Sequence, residues 1–216
     1  MVARSEPGWS AQPFVPASRD LGRLRAAATR CRGCDLHLIG TQTVFGSGPR
    51  RAPLMLVGEQ PGDAEDLAGE PFVGPAGRLL TEALTAAGID RADVYVTNAV
   101  KHFKWTPKGK RRIHAKPDRY EVAACRPWLD AELAAVRPRV TVCLGATAAQ
   151  ALLGKGFLVT KHRGEFYDLA AASGAGSVVT ATVHPSSILR AGERRADELA
   201  MFIADLQTIA DRLRAA

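Results

Sequence analysis

The sequence predicts an α/β fold, a three-layer α/β/α sandwich around a central, mainly parallel four-stranded sheet. Four short apolar runs have the composition of buried strands, at residues 53–57, 94–97, 140–144 and 178–183. Helical patterns alternate with these runs along the chain, an order typical of parallel strands joined by helices. Because helices cover both faces of such a sheet, its strands are apolar almost throughout, as these runs are.

The helical patterns lie around and between the predicted strands, at residues 20–30, 77–87, 118–136, 146–153 and 193–213. Ser18 and Asp20 can cap the first helix, because their side chains accept hydrogen bonds from free backbone N–H groups. Asp118 and Glu121 have the spacing of a capping box at the start of the third helix. Pro127 is expected to bend or restart that helix, because proline lacks a backbone N–H and clashes with the preceding turn.

The length and composition indicate one compact domain. With 216 residues, 46% of them hydrophobic and 24% charged, the chain has ordinary globular values and can bury a core. We expect a flexible N-terminal tail at residues 1–17 and a single domain over residues 18–216. No apolar run reaches the roughly 18 residues of a membrane span, and the first residues lack the apolar core of a secretion signal. A cytoplasmic location is therefore expected.

The charge and the loop composition narrow the range of functions. A formal net charge of +7 favours polyanionic partners such as nucleic acid, although many basic proteins merely carry solvated Lys and Arg. No Gly-x-Gly-x-x-Gly follows a predicted strand, and the Gly-Lys-Ser/Thr ending of a P-loop is missing, which disfavours NAD and ATP chemistry. No apolar surface stripe calls for a dimer, so a monomer is expected.

The chain has four cysteines, Cys31, Cys34, Cys125 and Cys143. Disulfides are unusual in cytoplasmic proteins, so four thiols indicate a metal ion or an iron–sulfur cluster. Zinc ribbons usually repeat the short Cys-x2-Cys spacing, whereas the second pair here is separated by 17 residues, which favours a [4Fe–4S] cluster over zinc. The alternative for Cys143 is a buried strand residue, because free cysteine often behaves as a small apolar side chain.

Polar and glycine-rich segments follow the predicted strands, where ligands bind in sheets of this kind. They contain the strings GEQPG at 58–62, PFVGPAG at 71–77, TNAVKHF at 97–103 and HPSS at 184–187. Together with the cysteines, these strings resemble the family 4 uracil-DNA glycosylases, which carry an iron–sulfur cluster, from about Cys31 to the end of the chain. Gln60 and the KGKRRIH string at 108–114 are similar to the UdgX branch, whose members become covalently trapped on uracil-containing DNA.

The resemblance implies a uracil-DNA glycosylase-like fold, a [4Fe–4S] cluster with a structural role, and uracil-containing DNA as the partner, in single-stranded or double-stranded form. Free uracil would be the product. Uracil lies inside the base stack, so an enzyme that cuts its glycosidic bond takes it from single strands or flips it out and reads its edge.

Four residues are expected to recognise the base. Phe72 can stack on the flipped ring, and the Asn98 amide offers a donor and an acceptor to a pyrimidine edge. Backbone groups around Gln60 and Asp63 complete the pocket, as the resemblance implies. The alternative for Phe72 is an ordinary core phenylalanine, which the glycines and prolines of its loop disfavour.

Three residues are expected to carry the chemistry. By resemblance, His184 donates a hydrogen bond to a uracil carbonyl as negative charge develops there; its alternative role is a helix cap. In the UdgX-like interpretation Glu59 orients and polarises His114, and the His114 imidazole attacks C1′ once uracil departs. The protein would then remain bound to the DNA sugar.

The basic residues around this histidine suggest contacts with DNA. Arg112 is expected to position the loop, and a track of five further side chains would contact phosphates: Lys101, Lys104, Lys108, Lys110 and Arg111.

Two other functions stay open. In a conventional, turning-over family 4 glycosylase, His114 would only contact DNA. In a non-catalytic iron–sulfur protein that binds DNA and senses lesions, Glu59 and His184 would need no alignment, so their presence argues against that class.

Overall fold

The structure, a computed structural model, describes residues 8–169, 174 and 176–215. Its central sheet has four parallel strands, β1 (Leu54–Gly58), β2 (Val94–Asn98), β5 (Val140–Leu144) and β7 (Val178–Thr182). A two-residue strand, β6 (Tyr167–Asp168), pairs antiparallel with β7 at the edge. The strand order is β2-β1-β5-β7-β6, so β1 and β5 lie side by side.

The predicted α/β sandwich is confirmed, and the four parallel strands lie within one residue of their expected ends. The sheet has a fifth strand, β6, that the sequence did not predict, because two residues are too few to show a strand pattern.

The helices begin and end as follows: α1 (Leu21–Ala28), α2 (Leu36–Ile39), α3 (Asp63–Ala68), α4 (Pro75–Ala86), α5 (Arg119–Val136), α6 (Ala146–Leu153), α7 (Val159–His162), α8 (Pro185–Leu189) and α9 (Arg195–Arg214). Short 3-10 turns lie at Gln12–Phe14, Arg91–Asp93 and Gly192–Arg194. Over the residues that the structure describes, no helix combines the length and the apolar character needed to cross a membrane.

The strands are buried on both faces because helices pack on each side of the sheet. One core contains Leu56 and Val142 from the sheet, with apolar side chains of α4 and α9 such as Leu80 and Phe202. The opposite core contains Met55 and Val57, neighbours of Leu56 on β1, with side chains of α5 and α6. Successive strand residues therefore belong to different cores, as the alternating geometry of a strand requires.

A two-stranded hairpin leaves the sheet after β2. Its strands are β3 (Trp105–Lys108) and β4 (Arg111–His114), joined by a two-residue turn in which Gly109 has φ 59°. The sequence indicated only a loop here. A glycine able to adopt positive φ between two short runs is a hairpin signal that the basic composition obscured.

Helix α5 contains Pro127 but does not restart there. The predicted capping box is present, since the Asp118 carboxylate accepts from the Glu121 N–H at 3.0 Å and Glu121 accepts from the Asp118 N–H at 2.7 Å. Of the predicted tail, residues 8–17 are described. Within them the Ala11 N–H donates to the Ala124 carbonyl of α5 at 2.8 Å, and residues 1–7 lie outside the described part.

Candidate active site

The segments that follow the parallel strands enclose one cavity of about 860 Å³. Its lining includes most of the residues predicted to bind uracil or catalyse its release: Glu59, Gln60, Asp63, Phe72, Asn98, His114 and His184. The cavity lies where β1 and β5 are neighbours. The chain leaves β1 toward β2 on one side and β5 toward β7 on the other, and such a switch point is the usual ligand site of an open parallel sheet.

The end of β1 forms a floor between the Phe72 ring and the Asn98 amide. A Cβ added to Gly58 would overlap Asn98 Oδ1 and lie 2.8 Å from Phe72 Cζ, so only glycine lets both side chains approach. Phe72 has φ 59°, an unfavourable conformation for a non-glycine residue that costs about 1–3 kcal/mol. Gly77 accommodates this turn, because any side chain there would overlap the Phe72 backbone carbonyl.

Glu65 holds the loop that carries these residues, a role the sequence did not reveal. Its carboxylate accepts from the Gly62 N–H at 3.1 Å and from the Gly74 N–H at 3.0 Å, which ties the two ends of the loop together. The sequence signal is faint: Glu65 is the N3 residue of α3, the position that a capping box requires.

His184 presents a defined tautomer to the cavity. Its Nδ1 accepts from the Ser186 backbone N–H at 3.1 Å, so a neutral ring carries its proton on Nε2. Burial lowers the pKa of His184 to about 4, and electrostatic repulsion from Arg190 and His114 acts in the same direction. The ring lies 6.2 Å from that of Phe72 at an interplanar angle of 27°. His184 therefore caps α8 and also offers an N–H donor at neutral pH.

Glu59 and His114 lie next to each other in the cavity lining. The distance between Glu59 Oε1 and His114 Nε2 is 3.5 Å, and the two side chains are 23% and 49% exposed. This separation is longer than an ordinary hydrogen bond. The carboxylate and the imidazole therefore line the same cavity without a hydrogen bond between them.

Gln60 anchors the hairpin that carries His114. Its Nε2 donates to the carbonyls of Lys104 and Ala115 at 3.1 Å each, and its Oε1 accepts from the Lys104 N–H at 3.1 Å. Lys104 and Ala115 lie at the two feet of the hairpin. The sequence assigned only the backbone near Gln60 to the pocket, whereas the side chain acts as a clamp.

Arg112 holds the hairpin from a second direction. Its guanidinium donates to Asp63 and to Asp66, each at 2.6 Å, and lies over the rings of Phe103 and Trp105 at 5.4 and 5.6 Å. The Asp63 carboxylate lines the cavity but is bound to this arginine. Arg112 itself is not among the cavity lining residues.

The structure does not place Lys101 on the DNA-facing track that the sequence predicted. Its side chain is fully buried and forms an ion pair with Glu132 of α5, because it runs inward from the end of β2. The ammonium also donates to Thr97 Oγ1 at 2.6 Å and to the Asn98 carbonyl at 2.7 Å. Lys101 therefore supports the strand end that presents Asn98.

Lys104 is also occupied within the protein. It is 16% exposed and pairs with Glu121 at 2.8 Å and Asp118 at 3.6 Å, at the start of α5. The remaining members of the predicted track, Lys108, Lys110 and Arg111, are exposed around the hairpin turn.

Three of the four cysteines come together. Cys31, Cys34 and Cys125 are buried in one cluster between α1, α2 and α5, and Cys125 Sγ accepts from the Lys101 N–H at 3.3 Å. Burial, with a smaller contribution from the neighbouring Cys31, raises the pKa of the Cys34 thiol to about 11. Burial raises the pKa of Cys125 to about 12.

Cys143 does not join these three. It lies on β5, between Val57 of β1 and Ala181 of β7, in the apolar core on the α5 and α6 face of the sheet. Burial raises the pKa of Cys143 to about 12. The predicted set of four cysteine ligands is therefore not assembled, and Cys143 occupies the buried strand position that was its alternative.

His102 lies near Cys31 and directly follows Lys101, whose N–H contacts Cys125, a position the sequence did not single out. It is buried, and it shares a cavity of about 530 Å³ with Cys31 and His37. Burial lowers the pKa of His102 to about 4, which keeps the ring neutral and able to act as a ligand. Its Nε2 lies 2.9 Å from Thr43 Oγ1. The only sequence signal is its place in the segment that follows β2.

Three thiols and an imidazole are suitable donors for an iron–sulfur cluster, since histidine can replace cysteine as a cluster ligand. Among the described residues, no three Cys, His, Asp or Glu side chains converge tightly enough to bind a single metal ion. The open volume beside Cys31 and His102 offers space for a larger group.

Comparison with known proteins places these residues in a family context. Residues 45–207 match the sequence profile of the uracil DNA glycosylase superfamily. The chain is 42% identical to a type-4 uracil-DNA glycosylase of Archaeoglobus fulgidus over 163 residues, 74% of this chain and 78% of the relative. It is 41% identical to the type-4 enzyme of Thermotoga maritima over 177 residues, 82% and 85% of the two chains. Identity to the type-4 enzyme of Pyrobaculum aerophilum is 37% over 192 residues, 85% and 93%.

Proposed function

The chain belongs to the uracil-DNA glycosylase superfamily, and from this membership we propose that it removes uracil from DNA by cleaving the N-glycosidic bond. We further propose that it then binds covalently to the abasic sugar through His114. The observation that carries the second step is the 3.5 Å separation of Glu59 and His114 within the cavity that also holds Phe72 and His184.

Recognition of the base would use the floor at the end of β1. A flipped uracil placed over Gly58 would lie between the Phe72 ring and the Asn98 amide, which offers both a donor and an acceptor. The buried Lys101 fixes the Asn98 backbone from below. The amide is therefore presented from a rigid strand end, as discrimination between similar pyrimidines requires.

Bond cleavage would follow from the placement of His184. When the bond between C1′ and N1 breaks, its electron pair stays on uracil, which leaves as an anion. The Nε2–H of His184 is a donor held in place before this charge appears, and fixed donors of this kind lower the barrier of such reactions. Glu59, beside His114 in the cavity lining, would face the sugar and stabilise the oxocarbenium ion through its negative charge.

Covalent capture of the abasic sugar would use His114, at the end of the second strand of the hairpin. A lone pair of the His114 imidazole forms the new bond to C1′, and the ring becomes a cation beside the Glu59 carboxylate. The ring then loses its N–H proton, and uracil gains one, so charge and atoms balance. Because an imidazole on an anomeric carbon is a poor leaving group, each protein molecule would react once.

Conventional turnover is the second candidate. The likeness to type-4 enzymes favours it equally, and a water molecule in the space beside Glu59 would be activated by the same carboxylate. His114 would then contact DNA without forming a bond.

The proposed cofactor is a [4Fe–4S] cluster held by Cys31, Cys34, Cys125 and His102. Bound there, the cluster would join the segment around α2 to the start of α5 and shape the surface beside the hairpin. The cluster would have a structural role, since neither uracil release nor covalent capture is a redox reaction.

The test is a denaturing gel of the purified protein with a single-stranded oligonucleotide that contains one uracil, beside a thymine control. A uracil-dependent band of protein bound to DNA is expected, and His114→Ala should abolish it. His162→Ala, a change of an exposed histidine outside the cavity, serves as the matched control and should leave the band intact. Alkali-cleavable DNA without the band would establish turnover in place of capture.

A further inference from the structure

The Glu59 carboxylate has a second neighbour in the cavity lining, Thr147. The Thr147 hydroxyl donates to Glu59 Oε2, while Glu59 Oε1 is the oxygen that faces His114. The two oxygens of one carboxylate are therefore divided between a fixed donor and the imidazole. Rotation of the carboxylate would break the hydrogen bond from Thr147 and move Oε1 away from the His114 ring.

Thr147 is held rigidly by its surroundings. It is the second residue of α6, which begins directly after β5, and it is 7% exposed. Gly145, at φ 86°, makes the turn between strand and helix, and a Cβ added there would lie 3.1 Å from the Cβ of His184. A threonine side chain is branched at Cβ and has few rotamers. The hydroxyl is thus a donor at a defined point of the cavity wall.

The contact also joins the two strands at the switch point of the sheet. Glu59 follows β1 and Thr147 follows β5, and these strands pair directly, with Val57 opposite Cys143. The Glu59 backbone is fixed separately, because its carbonyl accepts from the Val100 N–H at 3.0 Å. Among the described residues, the Glu59 carboxylate has no other hydrogen-bond donor than Thr147, which leaves that hydroxyl to set its orientation.

We propose that Thr147 is a positioning residue, which orients Glu59 so that its free oxygen supports the reacting His114. The proposal rests on the proposed function. It assigns Thr147 no contact with the base or the sugar. It therefore predicts that loss of the hydroxyl slows the reaction of bound DNA and leaves the affinity for DNA unchanged.

The experiment compares Thr147→Val, which replaces the hydroxyl with a methyl group of similar size, with Thr147→Ser, which retains the hydroxyl. A hydrogen bond to a charged group has a strength that corresponds to about a tenfold to hundredfold change in rate. We expect Thr147→Val to slow single-turnover capture of uracil-containing DNA by this factor and Thr147→Ser to restore most of the rate. Thr208→Val, on the exposed face of α9, is the matched control and should react at the wild-type rate.

A double-mutant cycle separates positioning from a general structural role. If Thr147 acts through the carboxylate, Thr147→Val should have little further effect once Glu59→Gln is present. Dissociation constants for thymine-containing DNA should be the same for all Thr147 variants. A wild-type capture rate in Thr147→Val, an undiminished effect in the Glu59→Gln background, or failure of Thr147→Ser to restore the rate would each overturn the proposal.

The wild-type protein tests the proposed function in the same series. If it releases uracil without forming the covalent band, capture is refuted while Thr147 is still tested, because the same variants are then compared by their rates of uracil release. If the wild-type protein does neither, the proposed function and the role of Thr147 both fail.

Discussion

The substitution Lys101→Met distinguishes a buried, structural role of Lys101 from the contact with DNA phosphates that the sequence predicted. In the structure the ammonium is buried against Glu132, Thr97 and the Asn98 carbonyl. Removing one partner of a buried ion pair costs about 3–5 kcal/mol, because the other charge is left uncompensated. Glu132 would retain donors from Tyr95 at 2.9 Å and from the Gly46 N–H at 3.0 Å, so the lower end, about 3 kcal/mol, is expected.

The assay is thermal unfolding followed by circular dichroism at one scan rate. For a chain of this size, 1 kcal/mol shifts the melting temperature by about 2–4 °C, so a fall of about 6–12 °C is expected for Lys101→Met. Adding Glu132→Gln should recover part of the loss, because the uncompensated charge is then gone.

DNA binding supplies the complementary readout. The slope of log affinity against log salt should be unchanged in Lys101→Met, whereas Lys110→Ala should reduce it by about one unit, since only the exposed lysine can displace counterions from phosphates. A loss of melting temperature below about 3 °C together with a reduced salt slope would refute the buried role of Lys101.

Three further predictions follow from the site. Gly77→Ala should weaken binding of uracil-containing DNA at least about tenfold, measured by fluorescence anisotropy, because its Cβ would displace the Phe72 carbonyl; unchanged affinity would contradict the strained turn. Cys143→Ala should keep the iron content and visible absorption of the purified protein and Cys125→Ala should lose them, while loss of both signals in Cys143→Ala as well would restore the four-cysteine set. Folding stability should fall as the pH drops from about 6.5 toward 4, because His184 stays neutral in the folded protein and protonates more readily when unfolded. His184→Gln should reduce that slope, to which the buried His102 contributes in the same direction, and an equal slope in both proteins would show that His184 does not contribute to it.

The parts of the structure that the sequence predicted are those with a local signal. The strands β1, β2, β5 and β7 are apolar runs of ordinary length, and Asp118 with Glu121 form their capping box within four residues. The cavity could be anticipated for a related reason, since the carboxyl ends of parallel strands meet at one edge and bring Glu59, Asn98 and His184 together.

The parts that the sequence did not predict depend on partners far away along the chain. From the sequence alone, Lys101 is expected to be exposed to solvent, because its partner Glu132 lies 31 residues later on α5. From the sequence alone, Cys143 is expected to be a ligand, because four cysteines match the four ligands of a [4Fe–4S] cluster. Its strand position instead places it in an apolar core. The clamp formed by Gln60 requires the two feet of a hairpin whose existence depends on the Gly109 turn.

The anchoring of the hairpin bears on the choice between capture and hydrolysis. A water molecule must be bound and oriented at each reaction, whereas His114 is attached to a hairpin fixed by Gln60 at its feet and by Arg112 on its side. A well-oriented intramolecular nucleophile can reach an effective concentration of about 10⁵–10⁸ M, far above that of water. If the clamp is what favours the imidazole, Gln60→Ala should shift products from the covalent band toward alkali-cleavable abasic DNA while uracil release continues. Loss of both products in equal measure would show that Gln60 acts on an earlier step.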